Sequence, residues 1–328
     1  MSQSTDPLPV HLVAVQAQIQ PAAYRSAESF RKRVLSLARA AVAGLPEGEP
    51  RVVAFPEAFA LPLVFWLETP QEIVGAPSAL SAAATLLRRR WPQALRLAVP
   101  SPAVFFHLRG LEVWPVYEAV FREAAQEARA YLVAGSIFSP PVDWEPARGY
   151  HPAARAVFNQ TLLVSPHGTI LSRIPKVNLT RDERGSFLSG GPLGQQIAQT
   201  KIGKLATLIC LDAFHQRLVE WVDAQGAWLL VQPSANAARW NGPWSADPRQ
   251  IEGEVWLREG LAKKLEAREN LRYGLNPMLN GEFYTLSFEG RSGIYGPGTP
   301  LALADSPTGD ALVRFTIEKG EGTPPRSS

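Results

Sequence analysis

The chain has 328 residues and a single cysteine, Cys210. No internal disulfide is possible, which excludes the disulfide-stapled secreted scaffolds. The histidines are also few: His11, His107, His151, His167 and His215 show no His-x-x-x-His or comparable ligand spacing, so no metal site is read from them. No apolar run approaches the ~20 residues of a membrane span. The opening Met-Ser-Gln-Ser-Thr-Asp lacks the basic and apolar regions of a secretory leader. These absences predict a soluble cytoplasmic protein with no membrane partner. There is no Gly-x-Ser-x-Gly elbow, no phosphate loop and no internal repeat, and Gly296-Pro297-Gly298 reads as a turn because it lacks a third glycine and a strand–helix setting. Strong charge of one sign is missing too, with a formal net charge of +3. Basic residues are dispersed apart from Arg88-Arg89-Arg90, which reads as a solvated helix face. No basic–aromatic stripe points to nucleic acid.

What is present suits an ordinary enzyme. Hydrophobic residues make up 46% of the chain and charged residues 19%, and the length allows one large core. Residues 11–17 predict a buried strand. A helix is expected from the N-cap Ser26 to Val42, stopped at Gly44, with Phe30, Val34, Leu37, Ala38 and Ala41 as its core face. Residues 51–55 predict a second strand, ending at Pro56-Glu57. Further on, helices are expected near 78–95 and 115–130, separated by Pro100-Ser101-Pro102. After a strand at 131–137, a hairpin of 155–164 and 169–174 turns at Ser165-Pro166-His167-Gly168. Strands at 204–209 and 227–232 flank a helix at 215–224, and a long helix is expected at 253–272. The last strands are read at 283–288 and 292–295, and 319–328 reads as a disordered tail. Alternating strands and helices with interleaved hairpins predict α/β layers on mixed sheets. The organisation expected is one catalytic domain over 8–318 carrying a helical insertion at about 61–130.

Three ionisable side chains fall at predicted strand ends. Glu57 follows Phe55-Pro56, Lys176 follows Ile174-Pro175, and Cys210 ends Leu205-Ala206-Thr207-Leu208-Ile209. A lone cysteine is more often a buried small hydrophobe than a nucleophile, and a single Glu or Lys is ordinarily a surface charge. Those readings leave unexplained why the carboxylate and the ammonium both follow strand–proline junctions. Together the three are the parts of a covalent acyl-transfer site. A free thiol has a pKa of about 8.5, so a nearby ammonium is expected to favour the thiolate. The carboxylate shuttles the proton, and the ammonium with the backbone N–H of Leu211 holds the oxyanion. A second carboxylate is expected to support the lysine, with Glu183, seven positions on, and Asp182 as the competing choices.

Phe55-Pro56-Glu57, Pro175-Lys176 and Ile209-Cys210-Leu211-Asp212 resemble the motifs of the nitrilase superfamily, the carbon–nitrogen hydrolases. Weaker matches run along most of the chain in the same order: Val13-Ala14-Val15-Gln16, Gly135-Ser136, Phe158-Asn159, Pro233, Asn236, Ala267-Arg268-Glu269-Asn270 and Gly290-Arg291-Ser292-Gly293-Ile294. The resemblance implies a four-layer α-β-β-α sandwich of two mixed sheets, assembly into homodimers or larger homo-oligomers, and no cofactor. By position it also implies that Glu183 is the additional structural glutamate. The chain departs from the pattern after the nucleophile, where Cys210-Leu211-Asp212-Ala213-Phe214 lacks both the usual aromatic residue and the following Phe-Pro-Glu. Nitrilases proper usually show Cys-Trp-Glu, so Leu211-Asp212 favours amides.

The expected activity is hydrolysis of a small-molecule amide or N-carbamoyl C–N bond through a thioester. Nitrile hydrolysis, acyl transfer and an inactive scaffold remain alternatives. Asn236 and Trp240 are the candidate substrate contacts. The segment Trp240-Asn241-Gly242-Pro243-Trp244 serves equally well as an aromatic wall or as packing or a subunit contact, whereas Arg239 reads as a surface ion-pair former ahead of a carboxylate receptor. His215, five positions after Cys210, is read as a helix start.

Overall fold

Strand Val10–Gln18, buried over all but its last residue, runs through the interior of the larger of two main sheets. The computed structural model describes residues 9–97, 99 and 103–318, so the expected tail at 319–328 and the Pro100-Ser101-Pro102 break lie outside the described residues. The nine-stranded sheet runs in the order Leu286–Phe288, Leu279–Phe283, Val10–Gln18, Arg51–Ala54, Tyr131–Val133, Phe158–Val164, Ile137–Ser139. Ala311–Ile317 pairs antiparallel with Val10–Gln18, and Ile170–Pro175 with Phe158–Val164. The six-stranded sheet runs Thr299–Leu303, Gly293–Gly296, Tyr273–Asn276, Ala227–Val231, Gly203–Thr207, Ile197–Thr200. Both sheets are mixed: Val10–Gln18, Arg51–Ala54 and Tyr131–Val133 are parallel neighbours in one, Gly203–Thr207, Ala227–Val231 and Tyr273–Asn276 in the other.

The period-2 alternation of strand side chains decides which residues share a core. Leu12, Ala14, Val52 and Val133 of the larger sheet cluster with Leu205, Leu229, Val231 and Leu275 of the smaller one. The intervening Val13, Val15, Val53 and Leu132 join Phe30, Val34, Trp114 and Phe121 from helices. On the smaller sheet, Ala206 and Leu230 cluster with Leu218, Val219, Leu261 and Leu265 from helices. Each buried Leu, Val or Phe contributes roughly 1.5–3 kcal/mol, so strands buried on both faces anchor the loops that leave their ends.

The helix expected from Ser26 forms at Ala27–Val42, with Ser26 accepting from the Ser29 N–H, and its predicted core face is buried. The 78–95 helix divides into Ala79–Arg89 and Trp91–Arg96 at Arg90, just before Pro92. The 115–130 helix is longer than expected: Val104–Ala128 passes through Pro115 and packs its buried face into the same core as Ala27–Val42. Arg89 and Arg90 pair with Glu72 and Glu112, in line with the solvated-face reading. The long helix at 253–272 does not form. Glu252–Glu259 stops at Gly260, Leu261–Leu265 follows, and Ala267 takes a left-handed φ of 55°. A Cβ on Gly260 would lie 2.1 Å from the Trp256 carbonyl oxygen. The 283–288 strand also divides, at Tyr284, whose φ is 52°. Strands also form at Val142–Glu145, Gly149–Pro152, Ile197–Thr200, Thr299–Leu303 and Ala311–Ile317, the last with a legible alternation at Val313-Arg314-Phe315-Thr316-Ile317.

What replaces the missing helix is a carboxylate. Asp223, 7% exposed at the end of helix Gln216–Ala224, accepts from the N–H groups of Glu269, Asn270 and Leu271 at 3.0, 2.8 and 2.8 Å. Burial pushes its carboxyl pKa up, but these donors outweigh it and hold the group below the usual range. The stabilisation is therefore present above the unfolded-state pKa and lost as pH falls through the depressed folded value. Asp223→Ala is expected to lower stability by about 2–3 kcal/mol at neutral pH, read as a shift in the urea midpoint, and by less in acid.

Candidate active site

Each of the three predicted side chains leaves a strand end through a constrained turn. After Arg51–Ala54, the Pro56–Phe59 turn is pinned to Ser136: its hydroxyl accepts from the Ala58 N–H at 2.7 Å, its carbonyl from the Ala60 N–H at 3.1 Å. Ala58 takes a φ of 55°, and the neighbouring Gly135 is required because a Cβ there would lie 2.5 Å from Phe59. Lys176 follows Ile170–Pro175, its N–H donating to the Asn159 carbonyl at 2.8 Å. Cys210 opens the short 3-10 helix Cys210–Phe214 with a φ of 48°, in the left-handed region that non-glycine residues rarely adopt. Its N–H donates to the Pro233 carbonyl at 2.8 Å, and the Gln232 side-chain amide donates to its carbonyl at 3.1 Å. The strain at the cysteine is thus held from both sides of the peptide.

The three meet. Lys176 Nζ lies 2.7 Å from Glu57 Oε1 and 2.9 Å from Glu183, and Cys210 is near enough to Glu57 and Lys176 for both to shift its pKa. Lys176 is 1% exposed, Glu57 4% and Cys210 8%. Glu183, not Asp182, is the second carboxylate. It is fixed by a capping box with Thr180, which gives its Oε2 the Thr180 N–H at 2.8 Å. Asn159 was legible only as part of a family resemblance, and it proves central. Its Nδ2 donates to both Glu57 and Glu183 at 2.8 Å. The Ala235 N–H donates to Glu57 Oε2 at 3.0 Å; being backbone, it leaves no signal in the sequence. Asp212, wholly buried, accepts from the Val177 and Asn178 N–H groups at 2.8 and 2.7 Å, tying the nucleophile turn to the lysine strand.

The two carboxylates differ in their proton affinity. Burial raises the Glu57 pKa above its ordinary value; Lys176 opposes this and Glu183 adds to it. Glu183 is also pushed up by burial, but Lys176, the Thr180 N–H and Asn159 outweigh that and leave it below the usual range. The opposite shifts make Glu57 the stronger base of the two. Burial alone would lower the Lys176 pKa, but Glu57, Cys210 and Glu183 hold it above the lysine range. The Cys210 thiol is raised by burial and by Glu57, and Lys176 does not overcome them. Burial and Glu57 thus oppose the pull toward the thiolate that the ammonium exerts.

Leu211 lies in the first turn of the 3-10 helix, where a backbone donor has no partner within the helix. Asn236 is buried, its amide donating to the Glu289 carbonyl at 3.2 Å. Trp240 is 5% exposed, its ring close against Gly253 and 6.5 Å from the Trp256 ring centre. Arg239 is exposed. His215 occupies the N-cap of Gln216–Ala224 without a side-chain cap, which agrees with a helix start. Among the described residues no cluster of three or more His, Cys, Asp or Glu could hold a metal ion, and no helix is long and apolar enough to cross a membrane.

Removing Lys176 leaves two buried carboxylates facing each other. Lys176→Met is expected to cost about 3–5 kcal/mol at neutral pH. The orphaned carboxylates then bind protons more tightly folded than unfolded, so the loss should shrink as pH falls toward 5, which urea titrations at two pH values would read.

The carbon–nitrogen hydrolase family profile matches residues 12–258. A comparison with curated proteins finds no significant match. Solved structures share the fold at low identity. A carbon–nitrogen hydrolase from Helicobacter pylori superposes with a TM-score of 0.64 at 16% identity, covering 95% of this chain and 89% of that one. Nit3 of Saccharomyces cerevisiae, a nitrilase-superfamily member, gives 0.59 at 15%, covering 97% and 93%. A variant of the amidase from Nesterenkonia sp., carrying an acetamide moiety on its active-site cysteine, gives 0.57 at 18%, also covering 97% and 93%. With the family profile spanning more than half of its length, this chain belongs to the carbon–nitrogen hydrolase family.

Proposed function

We propose that the protein is a cysteine hydrolase of small-molecule amides or N-carbamoyl compounds. The observation that carries this reading is the buried Lys176–Glu57 pair with Cys210 electrostatically coupled to both. Glu57 takes the thiol proton as sulfur attacks the carbonyl carbon. The carbonyl electron pair moves to oxygen, where the Lys176 ammonium and the Leu211 N–H stabilise it. Collapse breaks the C–N bond, and Glu57 delivers its proton to the leaving nitrogen. Water, deprotonated by Glu57, adds to the thioester; the C–S bond breaks and the sulfur is reprotonated. Glu183 and Asn159 keep the ammonium in place without exchanging protons.

The same proposal includes the four-layer α-β-β-α stacking, supported by one apolar cluster between the sheets and one on each outer face. It also includes a single catalytic domain over 8–318. The amide choice over a nitrile rests on Leu211-Asp212 after the nucleophile. The amidase from Nesterenkonia sp. supports it by analogy of fold.

Incubation with amides, carbamoyl amino acids and nitriles should release ammonia from the first two; release from nitriles alone would overturn the choice. Intact-mass measurement should find an acyl adduct on Cys210 that Cys210→Ala abolishes; without any adduct or turnover, a non-catalytic scaffold becomes the better reading. Glu57→Gln should lower kcat a hundredfold or more. Because Glu57 must be unprotonated to accept the thiol proton and burial raises its pKa, activity should climb with pH along a limb above the ordinary glutamate value of about 4.3.

A further inference from the structure

The three most exposed large apolar side chains among the described residues fall within one short stretch of chain. Leu80 is 76% exposed, Leu95 69% and Trp91 61%. They stand on helices Ala79–Arg89 and Trp91–Arg96, which Arg90 alone separates. The first helix has two faces. Ala82 and Leu86 are buried in the larger core with Ala83 and Leu87 packed against it, while Leu80, Ala84 and Arg88, spaced four apart, form an exposed row. The second helix buries no residue at all. Trp91 and Leu95, again four apart, share one side of it and join no apolar cluster among the described residues. A single exposed leucine is ordinary; three large apolar groups on two consecutive helices, a tryptophan among them, mark a contact surface.

The same surface is basic. Between Glu72 and Glu112 the chain has no acidic residue, and it has Arg88, Arg89, Arg90, Arg96 and Arg109. Arg109 is buried, and Arg89 and Arg90 are held by Glu72 and Glu112. Arg88 and Arg96 are exposed and have no acidic partner among the described residues. Arg88 lies three positions before Trp91 and Arg96 next to Leu95, so each apolar anchor has a cation beside it in the chain. A second copy docked across a two-fold axis would set these arginines against themselves. A nucleic acid would take the arginines and leave Leu80 and Leu95 in water. An anionic lipid surface satisfies both: headgroup phosphates pair with the guanidinium groups, tryptophan settles at headgroup level, and leucine enters the acyl boundary.

We propose that residues 79–96 form a docking face for an anionic lipid surface, with Trp91 and Leu95 inserted and Arg88 and Arg96 against the phosphates. The attachment is peripheral and reversible, because a few anchors and two cations fall far short of a spanning helix. The sequence-based expectation of no membrane partner followed from the lack of a spanning run; a helix lying in the interface needs none. None of these residues belongs to the candidate active site, so the docking face and the hydrolase reading stand or fall separately.

The test is co-sedimentation of the full chain with vesicles of phosphatidylcholine alone, or of phosphatidylcholine and phosphatidylglycerol in equal parts. The mixed vesicles are expected to bind about tenfold more tightly at low salt, and added salt should release the protein. Arg88→Gln with Arg96→Gln, and separately Trp91→Ser with Leu95→Ser, should each weaken binding about tenfold. Unchanged circular dichroism is expected for both pairs, because all four side chains are exposed. Insertion is read with brominated phosphatidylglycerol, which quenches tryptophan inside the bilayer. Quenching should be seen in the wild-type protein and should largely vanish in Trp91→Phe, which keeps an aromatic anchor and most of the binding. No binding to the mixed vesicles, equal binding to both kinds, binding that neither pair of substitutions weakens, or quenching that persists in Trp91→Phe overturns the docking face. So does a lipid-free dimer that Trp91→Ser dissolves, which gives the face to a second copy, or an oligonucleotide retained in place of vesicles, which gives it to nucleic acid.

Discussion

One buried ammonium organises this site. Lys176 has almost no contact with solvent, and it survives there because two carboxylates, Glu57 and Glu183, close on it at hydrogen-bond distance. Each partner is costly alone. A buried charge without a counter-ion forfeits several kcal/mol of hydration, and only the mutual attraction offsets it. The cluster has one more negative group than positive. The surplus is borne by Glu57, whose pKa rises, while Glu183 is held ionised by its capping box and by Asn159.

The sheets exist, functionally, to bring these charges together. Glu57 and Asn159 stand at strand ends of the larger sheet, as does Lys176, and Cys210 and Ala235 follow strands of the smaller one. The apolar cluster between the sheets sets their separation. Two contacts cross from one sheet to the other at the site itself: the Ala235 N–H to Glu57, and Asp212 to the Val177 and Asn178 N–H groups. A shift of either sheet would therefore break the hydrogen bonds that hold Glu57 and the Cys210 turn together. The left-handed backbone at Cys210 belongs to the same constraint. Gln232 and the Pro233 carbonyl hold it, and both belong to the neighbouring strand end rather than to the cysteine's own turn.

Much of this was legible in the residues. Phe30, Val34 and Leu37 declare an amphipathic helix by spacing alone, and Ser26 declares its start. Glu57, Lys176 and Cys210 stood out because each ends an apolar run at a strand boundary. Less was visible where a tertiary partner replaces local hydrogen bonding. The segment after Leu265 has helical composition, yet Asp223, more than forty residues earlier, takes the backbone donors that a helix would need. The edge strand Thr299–Leu303 is partly exposed and weakly patterned, so pairing rather than alternation defines it.

The sequence by itself determined the three ionisable groups and their order along the chain, because thiol, carboxylate and ammonium are side chains at strand ends. Tertiary structure alone decided which way their pKa values shift. An ammonium beside a thiol favours the thiolate; burial and the adjacent Glu57 oppose it, since the desolvation of a charge depends on everything packed around it. It also decided that Asn159 and the Ala235 N–H belong to the site, because a bridging amide and a backbone donor acquire a role only when the chain brings a carboxylate to them.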